Sequence, residues 1–184
     1  MSDTDLKASA ARALKNPLRD KKKCVRENPE TKPAVDALSA IEATFFVIDE
    51  IRDNLIEASE LVLSAMTAKD VASRSIFAER YDELRQSITK LVEQADPEAA
   101  KLLGQQAKGV NVSLEGSARY SLSPVDLTIS ETGLDLPPPA QGLSTNTEIA
   151  LILEKLDEAL AKLGRISNFY MRDAKFLMAR IDAA

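Results

Sequence analysis

Residues 149–181, IALILEKLDEALAKLGRISNFYMRDAKFLMARI, decide the fold. Apolar side chains recur at Ile149, Leu153, Leu156, Leu160, Leu163, Ile166, Tyr170, Ala174, Leu177 and Ile181. Steps of three and four place them on one stripe of an α-helix. A helix of about 35 residues is about 52 Å long, so its stripe needs comparably long partners. The helix begins near Thr145 or Thr147, with Glu148 early in the first turn, and Lys175 and Arg180 suit its negative C-terminal end. Gly164 is a weak point that a packed helix tolerates.

Two upstream segments supply such partners. In the first, Val35, Leu38, Ile41, Phe45, Ile48, Ile51, Leu55, Val62 and Met66 form one stripe along residues 34–66. Thr31 is placed to cap its start, and Pro33 suits its first turn. Asp49, Asp53, Glu57 and Glu60 lie away from the stripe. Thr67 and Asp70 then make a Thr-x-x-Asp helix-start box. The second segment repeats Phe77, Tyr81, Leu84, Ile88, Leu91 and Ala95 in alternating steps of four and three, a heptad seam. So short a connection makes the two helices antiparallel. Asp96-Pro97 ends the second and restarts a short helical turn, closed by Gly104.

Between the second and third helices the period changes to two. Val110, Val112 and Leu114 alternate with Asn111, Ser113 and Glu115; Ala118, Tyr120 and Leu122 alternate with Arg119, Ser121 and Ser123. With Gly116 in the turn, this is a β-hairpin with one buried face. Val125-Asp126-Leu127-Thr128-Ile129 alternates again and offers a third strand. Pro137-Pro138-Pro139 and Gly142 read as a linker. The fold class expected is mainly α: an elongated antiparallel bundle of three long helices with a small β-hairpin insert. Residues 33–184 form the rod domain, with the insert at 109–136 and the linker at 137–146. Residues 1–32 form a flexible basic head, interrupted by Pro17 and Pro29.

Composition agrees. The 184-residue chain has no histidine and one cysteine, so imidazole catalysis, zinc fingers and intrachain disulfides are excluded. Aromatics at 4% and six glycines argue against a β-sandwich or barrel. The net charge of −5 is uneven. Residues 1–32 hold nine Lys/Arg against five Asp/Glu; the remainder holds fifteen against twenty-four. An acidic body repels a nucleic-acid backbone, and no aromatics interleave with the basic head. No apolar run is long enough to span a membrane, and residues 1–20 lack the apolar core of a Sec signal.

The order of elements resembles the rod domain of bacterial flagellin, the shorter alphaproteobacterial flagellins in particular, over about residues 37–179. The stretch from Ile48-Asp49-Glu50-Ile51 to Ser64-Ala65-Met66 resembles a flagellin helix leading to a short acidic break. Ala78–Ile88, AERYDELRQSI, is similar to the family helix that reads E-Y-N-x-L-x-x-Q-I-x-x-I. The hairpin, with Ser121-Leu122-Ser123-Pro124-Val125-Asp126-Leu127 and Gly133-Leu134-Asp135-Leu136, is the third piece. Ile152–Leu163, ILEKLDEALAKL, resembles the returning helix. The family adds a long helix at each end, which coil together as the filament's inner tube. Here neither is evident, and the reading is of a rod without those terminal helices.

The resemblance implies a structural protein, a component or variant subunit of the flagellar filament, acting through helix–helix packing. Implied partners are flagellin subunits or flagellar export and chaperone proteins, with secretion by a non-Sec route. The alternative is a cytosolic helical adaptor or regulator that does not polymerise. No enzymatic role, cofactor, metal, nucleic acid or membrane insertion is expected. The core seam is assigned to Phe45, Ile48, Leu55, Phe77, Tyr81, Leu84, Ile88, Leu91, Leu153, Leu156, Leu160 and Leu163, as an intramolecular core in preference to a subunit contact. Phe46, Val47, Ile76 and Phe176 lie off the seams and are the candidate partner patch. The acidic residues Asp49, Asp53, Glu57, Glu60, Asp126, Glu131 and Asp135 read as solvated. Cys24, among Lys21–Lys23 and Arg26, reads as a bystander thiol despite neighbouring cations that favour the thiolate.

Overall fold

The computed structural model describes residues 31–114 and 118–183. The basic head with Cys24 and Lys21–Lys23, and the turn around Gly116, lie outside them. The element order is α1 (Lys32–Thr67), α2 (Val71–Glu93), a 3-10 turn (Ala99–Lys101), β1 (Val110–Ser113), β2 (Arg119–Leu122) and α3 (Asn146–Ala183). The chain is mainly α, with a two-stranded antiparallel hairpin between the second and third helices.

The helix ends follow capping chemistry. The Thr31 carbonyl accepts the Ala34 and Val35 amides, each at 3.1 Å, with Pro33 in the first turn where its missing N–H has no helical partner. The start of α2 differs from the expected Thr67 box. Thr67 belongs to α1, and its hydroxyl donates back to the Ser64 carbonyl at 2.9 Å. Asp70 is the cap: Oδ1 accepts the Ser73 amide at 2.7 Å and Oδ2 accepts the Ser73 hydroxyl at 2.8 Å. Those bonds, the amide first, hold the Asp70 carboxyl below the ordinary aspartate range. At α3, Thr145 caps: its hydroxyl accepts the Glu148 amide at 3.2 Å. Glu148 Oε1 reaches across the loop to the Gln141 amide at 2.7 Å.

The described residues divide into two compact units. Unit 1 holds the chain up to Asp49, Ala95–Val125 and the stretch from Ile166; unit 2 holds Glu50–Gln94 and Asp126–Arg165. α1 and α3 contribute to both.

In unit 1, α1 is buried on a broad face. Leu38, Ile41, Phe45 and Ile48 are joined by Ala34, Ala37, Ala40 and Val47. Buried Thr44 satisfies its hydroxyl on the Ala40 carbonyl at 2.8 Å. Leu102, Leu103, Val112, Leu122, Tyr170, Ala174, Leu177 and Ile181 complete this core. The hairpin register pairs Val110 with Leu122 and Val112 with Tyr120. Its return is fixed by the Val125 amide on the Leu102 carbonyl at 2.8 Å, and by the Tyr170 hydroxyl on the Ser123 carbonyl at 2.9 Å. Gly109, with φ +76°, starts the hairpin where any side chain would strike the Leu122 carbonyl.

In unit 2, α1 and α2 run antiparallel. Asn54 donates to Ser87 at 2.8 Å, and nearer the turn Glu57 faces Arg80 at 4.0 Å. The buried stripe of α1 narrows to Ile51, Leu55, Ala58, Val62 and Ala65. Met66, expected in the seam, is exposed, because α1 ends one residue later and the inward position is taken by Ala65. α2 buries Ala78, Tyr81, Ile88 and Val92; α3 buries Ile149, Ile152, Leu156, Ala159 and Leu163. Each large buried side chain contributes about 1.5–3 kcal/mol.

The third strand does not form. Val125 makes only an isolated parallel bridge with Leu103. Beyond it Asp126 draws the chain into a turn. Its carboxylate accepts the Thr128 amide at 2.9 Å and the hydroxyls of Thr128, Ser130 and Thr132 at 2.8, 3.2 and 2.9 Å. Side chains thus claim the groups a ladder would need. The proline stretch is packed as well: Leu136 and Leu143 are buried, and the Tyr81 hydroxyl donates to the Pro137 carbonyl at 2.8 Å.

Candidate functional site

The seam positions separate into two depths. Phe45, Ile48, Leu55, Tyr81, Ile88, Leu156 and Leu163 are buried, whereas Phe77, Leu84, Leu91, Leu153 and Leu160 are half-buried. Neighbours one position away take some of the deepest sites: Ala78 and Val92 on α2, Ile152 and Ala159 on α3. Two of these deep positions are alanines, whose short side chains stand out little beside leucines in an apolar pattern.

The partner patch does not come together as four exposed residues. Val47 is only 8% exposed and belongs to the broad unit 1 face. Phe176 is half-buried because β2 lays Tyr120 against it, ring centroids 4.4 Å apart. Phe46 (47% exposed, unit 1) and Ile76 (57% exposed, unit 2) do face solvent. In unit 2, Ile76 has company the sequence reading missed: Ile56, Leu63, Met66, Val71 and Leu151 are exposed too. The first three lie on α1 at spacings of seven and three, a second apolar edge beside the buried stripe. Leu151 borders an open groove of about 560 Å³ lined also by Pro137, Pro138, Ala140, Gln141 and Glu148.

Tyr120, Asp173 and Phe176 form the polar corner of unit 1. The Tyr120 hydroxyl donates to Asp173 Oδ1 at 2.7 Å. Burial, then the adjacent carboxylate, pushes that hydroxyl up to about 12, so it remains a donor throughout the physiological range. Asp173 is 6% exposed, and its Oδ2 has no hydrogen-bond partner among the described residues. The arginines nearby stack on rings: Arg172 lies 6.0 Å from the Phe169 centroid and Arg180 5.3 Å from that of Phe176. Tyr81 and Tyr170 are likewise raised by burial, each fixed by a backbone carbonyl.

The acidic residues have distinct environments. Asp53, Glu57 and Glu60 are exposed on α1. Asp126 is a loop organiser: burial opposes its charge, yet the bonds from Thr128, Thr132 and Ser130 hold its carboxyl below the ordinary range. Asp135, at φ +53°, binds Lys155 at 2.8 Å. Lys162 caps the carbonyls of Thr132 and Gly133. Among the described residues no group of three or more His, Cys, Asp or Glu is arranged to hold a metal, and no helix is long and apolar enough to cross a membrane.

No family model and no curated protein sequence matches the chain. Solved structures do. The crystal structure of Bacillus cereus flagellin superposes with a TM-score of 0.70 at 14% identity, covering 84% of this chain and 89% of that one. The fold is flagellin-like. At this identity the likeness speaks for the architecture, and the surfaces above remain the basis for function.

Proposed function

We propose that this chain is a structural subunit of flagellin type, a component or variant of the bacterial flagellar filament, working by lateral helix–helix packing. One observation carries the reading: helix, helix, hairpin, returning helix, in the order of a flagellin and over most of both chains. The proposal extends to a rod of the short alphaproteobacterial kind, exported by a non-Sec route. Its partners are other flagellin subunits and the export or chaperone proteins that escort them. Phe46 and Ile76, large and exposed on helices whose opposite faces are buried, are the proposed lateral contacts.

The test is location. Filaments sheared from cells and probed with an antibody against this chain should contain it. Its confinement to the cytosol, bound to an export component or chaperone, would replace the subunit reading with that of a non-polymerising adaptor or regulator.

A further inference from the structure

The solvent side of α3 in unit 1 carries a charge opposite to that of the body. Arg172, Lys175 and Arg180 are exposed within about two and a half helical turns. None of them forms an ion pair with a described carboxylate. Arg172 and Arg180 lie over the rings of Phe169 and Phe176. The carboxylate within the same stretch, Asp173, is buried and bonded to Tyr120. The result is a basic ridge about 12 Å long with aromatic flanks, its charges fanned around the helix with Arg172 between Lys175 and Arg180, and with exposed Asp182 just beyond it. It stands on a chain whose residues 33–184 hold fifteen Lys/Arg against twenty-four Asp/Glu. Arginine beside aromatic rings is the composition of protein contact sites rather than of a merely solvated face.

A matching surface exists on α1 in unit 2. Glu50, Asp53, Glu57 and Glu60 are exposed at spacings of three, four and three, one ridge about 15 Å long. Its one recorded ion pair among the described residues is the 4.0 Å approach of exposed Arg80 to Glu57. Ile56, 36% exposed, flanks the ridge with apolar surface. The two ridges agree in length, oppose in sign and each pair charge with an apolar neighbour.

We propose that the basic ridge at Arg172–Arg180 of one copy docks on the acidic ridge at Glu50–Glu60 of a second copy. This rests on the subunit reading and names the surfaces it uses. The contact pairs two different surfaces, basic on one copy and acidic on the other. A nucleic-acid or membrane occupant is disfavoured because the acidic body would be repelled by either.

Sedimentation velocity of the full chain tests the contact. Self-association should weaken at least about tenfold between about 50 mM and 1 M salt, as the screening length falls from more than 10 Å to about 3 Å. The reversal Arg172→Glu/Lys175→Glu/Arg180→Glu should abolish it, as should Asp53→Lys/Glu57→Lys/Glu60→Lys. Mixing the two variants should restore pairing, with unchanged circular-dichroism melts showing both folded. Association indifferent to salt and reversal, or folded variants that fail to pair when mixed, would overturn the proposal. So would a wild-type chain that stays monomeric while its basic ridge binds polyglutamate, which would assign the ridge to a different acidic protein. Charge-reversed chain found in sheared filaments at wild-type level would remove this contact and leave the subunit reading standing. Paired copies found only in the cytosol would do the reverse.

Discussion

Two neighbouring stretches share one alternating pattern and take opposite courses. Val110–Ser113 and Arg119–Leu122, in unit 1, become a β-ladder. Residues 125–134, crossing into unit 2, become a cinched loop. The hairpin satisfies its backbone groups on a facing strand, with Leu122 and Val112 turned inward. The loop satisfies them locally: Asp126 takes the Thr128 amide, and the Thr128 carbonyl takes the Leu134 amide at 2.7 Å. Both bury a leucine completely, Leu122 in one and Leu127 in the other. Alternation therefore reports which side chains point inward, and the intervening polar residues decide whether a partner strand is needed. Asn111, Arg119 and Ser121 leave the backbone free to pair. Asp126, Thr128, Ser130 and Thr132 form their own network.

The comparison can be broken at its apolar anchors first. Leu122→Ala and Leu127→Ala should each cost about 2–5 kcal/mol in urea melts. A loss confined to Leu122→Ala would show that the loop is not part of the core of unit 2. Next comes the strand's polar tether. Tyr120→Phe strips Asp173 of its hydrogen-bond donor and should cost about 1–3 kcal/mol. A neutral result by the same melts would mean that the Tyr120–Asp173 bond adds nothing net to stability.

The smallest effect sharpens the loop's side. Asp126→Asn should cost about 1 kcal/mol near neutral pH. The sign with pH follows from the folded state holding this carboxyl below its ordinary value. Its contribution is complete above the unfolded aspartate pKa and is lost as pH falls through the lower folded one. Acid titrations of the wild type should therefore show a steeper loss of stability below about pH 4 than titrations of Asp126→Asn. Parallel curves would deny the network its energetic role.

Much of this was legible from residue order. Steps of three and four placed all three helices, and the switch to period two placed the hairpin. What escaped notice has physical reasons. The wide buried face of α1 in unit 1 depends on Ala34, Ala37 and Ala40, whose small side chains carry little weight in an apolar pattern yet permit close approach. Phe176 reads as an off-seam patch residue because a helical wheel knows nothing of the strand that delivers Tyr120. The loop alternates like a strand, although Asp126-x-Thr128-x-Ser130-x-Thr132 announces side-chain competition for the backbone. For the surfaces, Phe46 and Ile76 were legible as off-seam apolar residues. The basic ridge required the ring contacts to be seen.

Arg74 links two corners of unit 2. Its Nε holds the Ala68 carbonyl at 3.1 Å and its NH1 group the Ser144 carbonyl at 2.8 Å. One planar cation thus closes two corners, the reversal between the first helices and the entry to the last. Fraying at one corner loosens the clasp on the other, so local opening at the two is coupled.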